Sequence, residues 1–97
     1  MILVRNVFQA KFGKSDELVA IFKQMLQVMS EPVNNQRILT DLSGPFYTVV
    51  LEAQVESLAE WERSRAEMFT NPQFGAVFAR TIDLVESGHA DYYTIES

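Results

Sequence analysis

The stretch Ile2-Leu3-Val4-Arg5-Asn6-Val7-Phe8-Gln9-Ala10-Lys11 decides the fold. β-Branched and aromatic residues dominate it and Phe12-Gly13 follows as a break, so it predicts a first strand. Side chains along a strand point to alternate faces. One face then carries Ile2, Val4, Asn6, Phe8 and Ala10, and the other Leu3, Arg5, Val7 and Gln9. Both are largely apolar. A strand wet on one side would alternate with polar residues, so this pattern predicts an interior strand covered on both sides.

The rest of the chain supplies its neighbours. Ser15 is placed to cap a helix, with Asp16 and Glu17 in the first turn where carboxylates meet the positive end of the dipole. Leu18, Ile21, Phe22, Met25 and Met29 recur at helical spacing and predict about four turns, ended by Pro32. Val19, Leu26 and Val28 widen its apolar stripe. Two strand-like segments, 36–43 and 46–54, flank Ser43-Gly44-Pro45 and predict an antiparallel hairpin. In the second of them Tyr47, Val49, Leu51 and Ala53 form an apolar face, and Phe46, Thr48, Val50 and Glu52 a mixed one. Ser57-Leu58-Ala59-Glu60 is a capping box opening a helix whose buried side holds Leu58, Trp61, Met68 and Phe69. Asn71-Pro72 starts a further helix with the stripe Phe74, Val77, Phe78, Ile82 and Val85, closed by Gly88, and Tyr92 to Ile95 forms the last strand.

Length and composition narrow the function. At 97 residues the chain is a single domain, 1–97, and a chain of this size buries little more than ~60% of its unfolded surface. It has no cysteine, which excludes disulfides, thiolate metal sites and a cysteine nucleophile. A formal net charge of -5 with scattered basic residues excludes nucleic acid as a partner. The N-terminal MILVRNVFQAKFG lacks the pattern of a secretory leader, and no apolar run approaches the ~20 residues of a membrane span, so the cytoplasm is the expected compartment.

The order β, α, ββ, α, β is that of an α+β ferredoxin-like βαββαβ fold, in which both helical layers lie on one face of a four-stranded antiparallel sheet. Leu3, Val7, Phe46, Val50 and one of the final tyrosines are then left on the uncovered face. An apolar patch of that extent predicts an interface, and the economical cover is a second copy packed face to face, a homodimer that closes an eight-stranded barrel. Arg5 and Glu52 are expected to point toward that partner and to form an ion pair across the interface or at its rim.

Arg5-Asn6-Val7-Phe8, Phe12-Gly13-Lys14, Leu58-Ala59-Glu60-Trp61, Asn71-Pro72-Gln73-Phe74, and Gly88 leading into Asp91-Tyr92-Tyr93 together resemble the dimeric α/β barrel superfamily over the whole chain. The likeness is to its antibiotic-biosynthesis monooxygenase and NIPSNAP-like branches. The resemblance implies a substrate pocket between sheet and helices. It includes cofactor-free monooxygenases acting on aromatic or quinol substrates, haem-degrading monooxygenases and proteins with no assigned activity, so the fold constrains function poorly. In the haem-degrading branch a first-strand Asn, a helical Trp and a later helical His line the pocket. Asn6 and Trp61 match the first two, whereas Phe78 stands where the His would be and cannot ligate iron. Neither haem nor any other cofactor is expected. His89, the only histidine, reads as a solvated turn residue.

Asn6 interrupts the row Val4, Asn6, Phe8 on the helix side. Burying an unpaired amide costs roughly 1–3 kcal/mol, so either a structural hydrogen bond or a ligand oxygen is expected to satisfy it. Trp61 is either core filler or a wall against an aromatic ligand, with Phe22, Phe78 and Tyr93 as further lining. Two functions follow. One is a small-ligand-binding or oxygenase-like dimer with a pocket beside Asn6; the other is a non-catalytic dimeric module whose core is filled.

Overall fold

A computed structural model describes residues 1–28 and 34–97, and of residues 34 and 35 the backbone only. The chain runs β1 (Ile2–Ala10), α1 (Ser15–Val28), β2 (Asn34–Thr40), β3 (Thr48–Val55), α2 (Leu58–Thr70), α3 (Pro72–Ala79) and β4 (Val85–Thr94). The four strands form one antiparallel sheet in the order β2-β3-β1-β4. β1 is interior, as its two apolar faces require. The helices cover the face that carries Val4, Phe8 and Ala10. No helix among the described residues is long and apolar enough to cross a membrane.

Local chemistry explains most boundaries. The Ser57 hydroxyl accepts from the Glu60 amide at 3.2 Å. The Glu60 carboxylate turns instead to Arg63, at 2.6 Å, so its half of the capping box is given to an ion pair one turn on. Asn71 serves two helices: its amide donates to Met68 at the end of α2, and its Oδ1 accepts from the Gln73 amide, 2.9 Å away, at the start of α3. Pro72 follows at the first helical position, where its missing N–H costs nothing.

Several expectations are corrected. Ser15 is the first residue of α1 and not its cap; the Lys14 carbonyl accepts the first helical bond, from Leu18. The hairpin connection is longer than Ser43-Gly44-Pro45, running from Asp41 to Tyr47, because Asp41 closes it by pairing with Thr48 through both backbone and carboxylate. Gly44 and Tyr47 take the positive φ values, 87° and 58°, that this loop needs. Phe46 is therefore an exposed loop residue and not part of the sheet face. Leu58 and Phe69, placed on the buried side of α2, are half exposed. The expected end of α1 at Pro32, and Met29 in its stripe, lie outside the described residues.

The largest correction concerns the last third. α3 stops at Ala79, and Arg80 to Leu84 form turns in which the Thr81 hydroxyl bonds back to the Phe78 carbonyl at 2.7 Å. Val85 opens β4, which runs ten residues alongside β1. Gly88 is no cap: it sits in mid-strand opposite Phe8, where a Cβ would meet the Phe8 ring at 3.2 Å and the Val7 carbonyl at 3.3 Å. The glycine is needed so that this aromatic ring can lie over the neighbouring strand.

The core falls into two parts. The larger gathers Ala10, Leu18, Ile21, Phe22, Met25, Val49, Phe74 and Leu84 under α1 and α3. The smaller holds Val4, Val55 and Trp61 under α2. Met68 packs against both, and a cleft lies beside it.

Candidate functional site

The cleft measures about 530 Å3 and lies between the sheet and the three helices, within the few-hundred to ~1,000 Å3 range of small-molecule sites. Asn6 and Phe8 of β1 and Leu51 and Ala53 of β3 form its floor. Met25 and Leu26, at the end of α1, close one side. α2 contributes Trp61, Glu62, Arg65, Ala66, Met68 and Phe69, which fall on one helical face by their spacing. α3 contributes Phe74 and Phe78. The interior is apolar and aromatic; the charged lining residues Glu62 and Arg65 of α2 are solvent-exposed and mark the mouth.

The aromatic wall is ordered by its own contacts. Phe69 meets Phe74 and Phe78 edge to face, each with ring centroids 5.4 Å apart, and Phe74 and Phe78 stack at 6.0 Å and 17°. Edge-to-face and offset-stacked rings are the arrangements their quadrupoles favour. A flat aromatic guest would meet this wall in the same geometries.

Asn6 is the polar group of the β1 floor. Its cross-strand neighbours are Leu51 on β3 and Ala90 on β4, neither with a polar side chain to offer. Its amide is thus presented to the cleft, where it can donate to or accept from a ligand oxygen. Trp61 is 7% exposed, and its indole N–H is buried with no hydrogen-bond partner among the described residues.

Of the residues picked out in the sequence, the structure brings Asn6, Trp61 and Phe78 together around the cleft. Two are misplaced. Phe22 is 1% exposed and belongs to the larger core, its ring 5.0 Å from that of the floor residue Phe8 but not itself lining the cleft. Tyr93 pairs with Leu3, so it lies on the sheet face away from the helices; only the register with β1 decides which of the adjacent tyrosines, 92 or 93, faces which way. Sequence reasoning missed Phe69, Phe74, Leu51, Ala53 and Arg65 as lining. The i, i+4 spacing of Trp61, Arg65 and Phe69 was the available signal.

Chemically the cleft can exclude water, hold a flat molecule and orient one oxygen. Among the described residues no group of three or more His, Cys, Asp or Glu could hold a metal. His89 is on the opposite sheet face, 3.3 Å from Asp91. Phe78 does stand in the cleft wall, so the position that the haem-degrading pattern gives to a ligand carries a ring that cannot coordinate iron.

No protein-family model and no curated protein sequence matches the chain. Solved structures do. An uncharacterized NIPSNAP domain protein from Burkholderia xenovorans superposes with a TM-score of 0.89 at 18% identity, covering 100% of this chain and 96% of its own. A NIPSNAP family protein from Agrobacterium tumefaciens gives 0.86 at 17% identity over 96% and 90% of the two chains. The fold is that of the NIPSNAP and antibiotic biosynthesis monooxygenase-like proteins. A Nitrosomonas europaea protein of the monooxygenase type matches end to end, 100% of both chains, with a TM-score of 0.75 at 16% identity. At such identities the likeness is one of fold.

Proposed function

We propose that the chain is a homodimeric binder of a small flat aromatic or quinone-like molecule, held between sheet and helices. The carrying observation is the cleft itself: an aromatic-walled void faces the amide of Asn6, which has no side-chain partner among the described residues. A void of this kind argues against the second reading, a module with a filled core, because interiors are close-packed unless something else occupies the space. Of the lining acids, Glu52 is held by two arginines and Glu62 stands at the mouth, so no carboxylate among the described residues faces the interior as a general acid or base. Turnover would therefore depend on an electron-rich substrate that reduces dioxygen itself, as in the cofactor-free monooxygenases the fold resembles. The homodimer is supported by the bare sheet face, with Leu3, Val7, Leu39 and Tyr93 on it.

A thermal-shift panel of naphthols, quinols and anthrones tests the proposal. Ligand at a hundredfold excess over Kd stabilises by about 2.7 kcal/mol. At least one compound should raise the melting temperature of the wild type, and Asn6→Ala should lose that shift while staying folded. A flat response from the wild type across the panel would sink the reading.

A further inference from the structure

Four of the five arginines are held by partners within the chain. Arg5 and Arg37 grip Glu52, Arg63 lies 2.6 Å from Glu60 and 3.5 Å from Glu67, and Arg80 donates to Gln24 Oε1 at 2.7 Å. Arg65 alone has neither an ion pair nor a side-chain hydrogen bond among the described residues. An acid is at hand, because Glu62 stands three residues before it, the spacing at which Glu60 pairs with Arg63. That pair does not form, and Arg65 lines the cleft instead.

Its place on α2 is central to the cleft. Successive residues turn by about 100° around a helix. Counted from Trp61, Arg65 falls at about 40° and Phe69 at about 80°, in the middle of the arc that lines the cleft, whereas Glu62 and Ala66 fall at about 100° and about 140°, on its outer flank. Arg65 is one turn, about 6 Å along the axis, from Trp61 and from Phe69 alike. A cation without a partner thus stands at the mouth of an aromatic space.

We infer that the guest of the cleft is an aromatic carboxylate and that Arg65 selects it. The inference rests on the proposed binding of a flat aromatic molecule and adds the charge that molecule carries. Guanidinium presents paired N–H donors in one plane, the match for a carboxylate. With the acid group at Arg65 on the helical roof, the rings of the guest lie against Phe69, Phe74 and Phe78, and Asn6 on the floor is left for an oxygen elsewhere on the guest. The other arginine of the lining, Arg37, is already held by Glu52. Glu62 acts in the opposite sense, but its shorter side chain lies on the wet flank of the arc, where water and salt screen it. The net charge of -5 repels anions at long range. A preference for an acid over its neutral analogue therefore has to come from a local cation, and Arg65 supplies it.

Titration calorimetry with 2-naphthoate, 2-naphthamide and 2-naphthylmethylammonium reads the charge preference on one ring system. The wild type should bind the naphthoate roughly tenfold more tightly than the naphthamide, the effect of a hydrogen bond to a charged group. Arg65→Gln should bring that ratio to about one while the naphthamide affinity stays as it was. Arg63→Gln removes the same charge two residues away, outside the cleft lining, and should leave the ratio intact, which separates a contact at the mouth from a change in net charge. Both side chains are exposed, so both variants should stay folded, as a thermal melt verifies. Equal wild-type affinity for naphthoate and naphthamide, a preference for the ammonium compound, or a naphthoate preference that survives Arg65→Gln would overturn the inference and leave the pocket standing. No binding of any of the three compounds would remove the pocket's aromatic guest and the inference with it.

Discussion

Replacing Ala53 by leucine asks whether the cleft is empty in solution, and the sign of the stability change answers. Ala53 is half-buried on the floor, opposite Val4 on β1 and among the lining residues with Asn6 and Leu51. Leucine adds three carbons. At about 0.8 kcal/mol per buried methylene the ceiling is about 2.4 kcal/mol of stabilisation. The cleft opens to solvent past Glu62 and Arg65, so the added group stays partly wet, and roughly 1 kcal/mol is the expected gain. For a domain of this size that raises the melting temperature by about 4–8 °C. A close-packed site responds in the opposite direction, losing about 1–3 kcal/mol to overpacking. Urea unfolding at fixed protein concentration gives the comparison, read as a change in midpoint at constant slope. A midpoint that falls by the equivalent of 1 kcal/mol or more would refute the void and with it the pocket. The same variant should lose any ligand-induced thermal shift, because leucine occupies the guest's space.

Three further outcomes are expected. Glu52→Ala, which strips a 7%-exposed carboxylate from between two arginines, should cost about 2 kcal/mol by urea unfolding; Glu60→Ala, whose pair with Arg63 is solvated, should cost less than about 0.5 kcal/mol. Gly88→Ala should lose about 1 kcal/mol in the same assay because its Cβ would press on Phe8 and on the Val7 carbonyl, whereas an unobstructed glycine in a strand would gain on the same change. Ser57→Ala should cost about 1 kcal/mol through the lost cap on α2, and Ser57→Gly only a few tenths.

The fold was largely legible because its strongest signals are local. β1 announced its interior position through two apolar faces, α1 through its stripe from Leu18 to Met25, and α2 through the Ser57 cap. The misreadings share a cause, which is that short-range pattern does not say when a period changes. Phe74, Val77 and Phe78 recur at helical spacing, and Ile82 and Val85 happen to continue the count after the helix has ended. That slip carried Gly88 into a cap it does not make. The candidate site was legible in part for the same reason. Asn6 stood out as a polar break in an apolar row, and Trp61 as the one tryptophan, on a buried helical face; Phe74 and Ala53 bear no mark that separates cleft lining from core.

By itself the sequence determined the order of elements, the interior place of β1 and the class of fold, because all of these follow from spacing along the chain and from residue chemistry. Tertiary structure decided the rest. Where β4 begins depends on pairing with β1, which lies more than seventy residues away. Whether Phe8, Trp61 and the α3 phenylalanines fill the interior or leave a cleft beside Asn6 depends on how two core clusters close around each other. The two ion pairs of Glu52, with Arg37 and with Arg5, exist only once three strands bring these residues to one level. Volume and register are properties of elements packed together, and no local pattern encodes them.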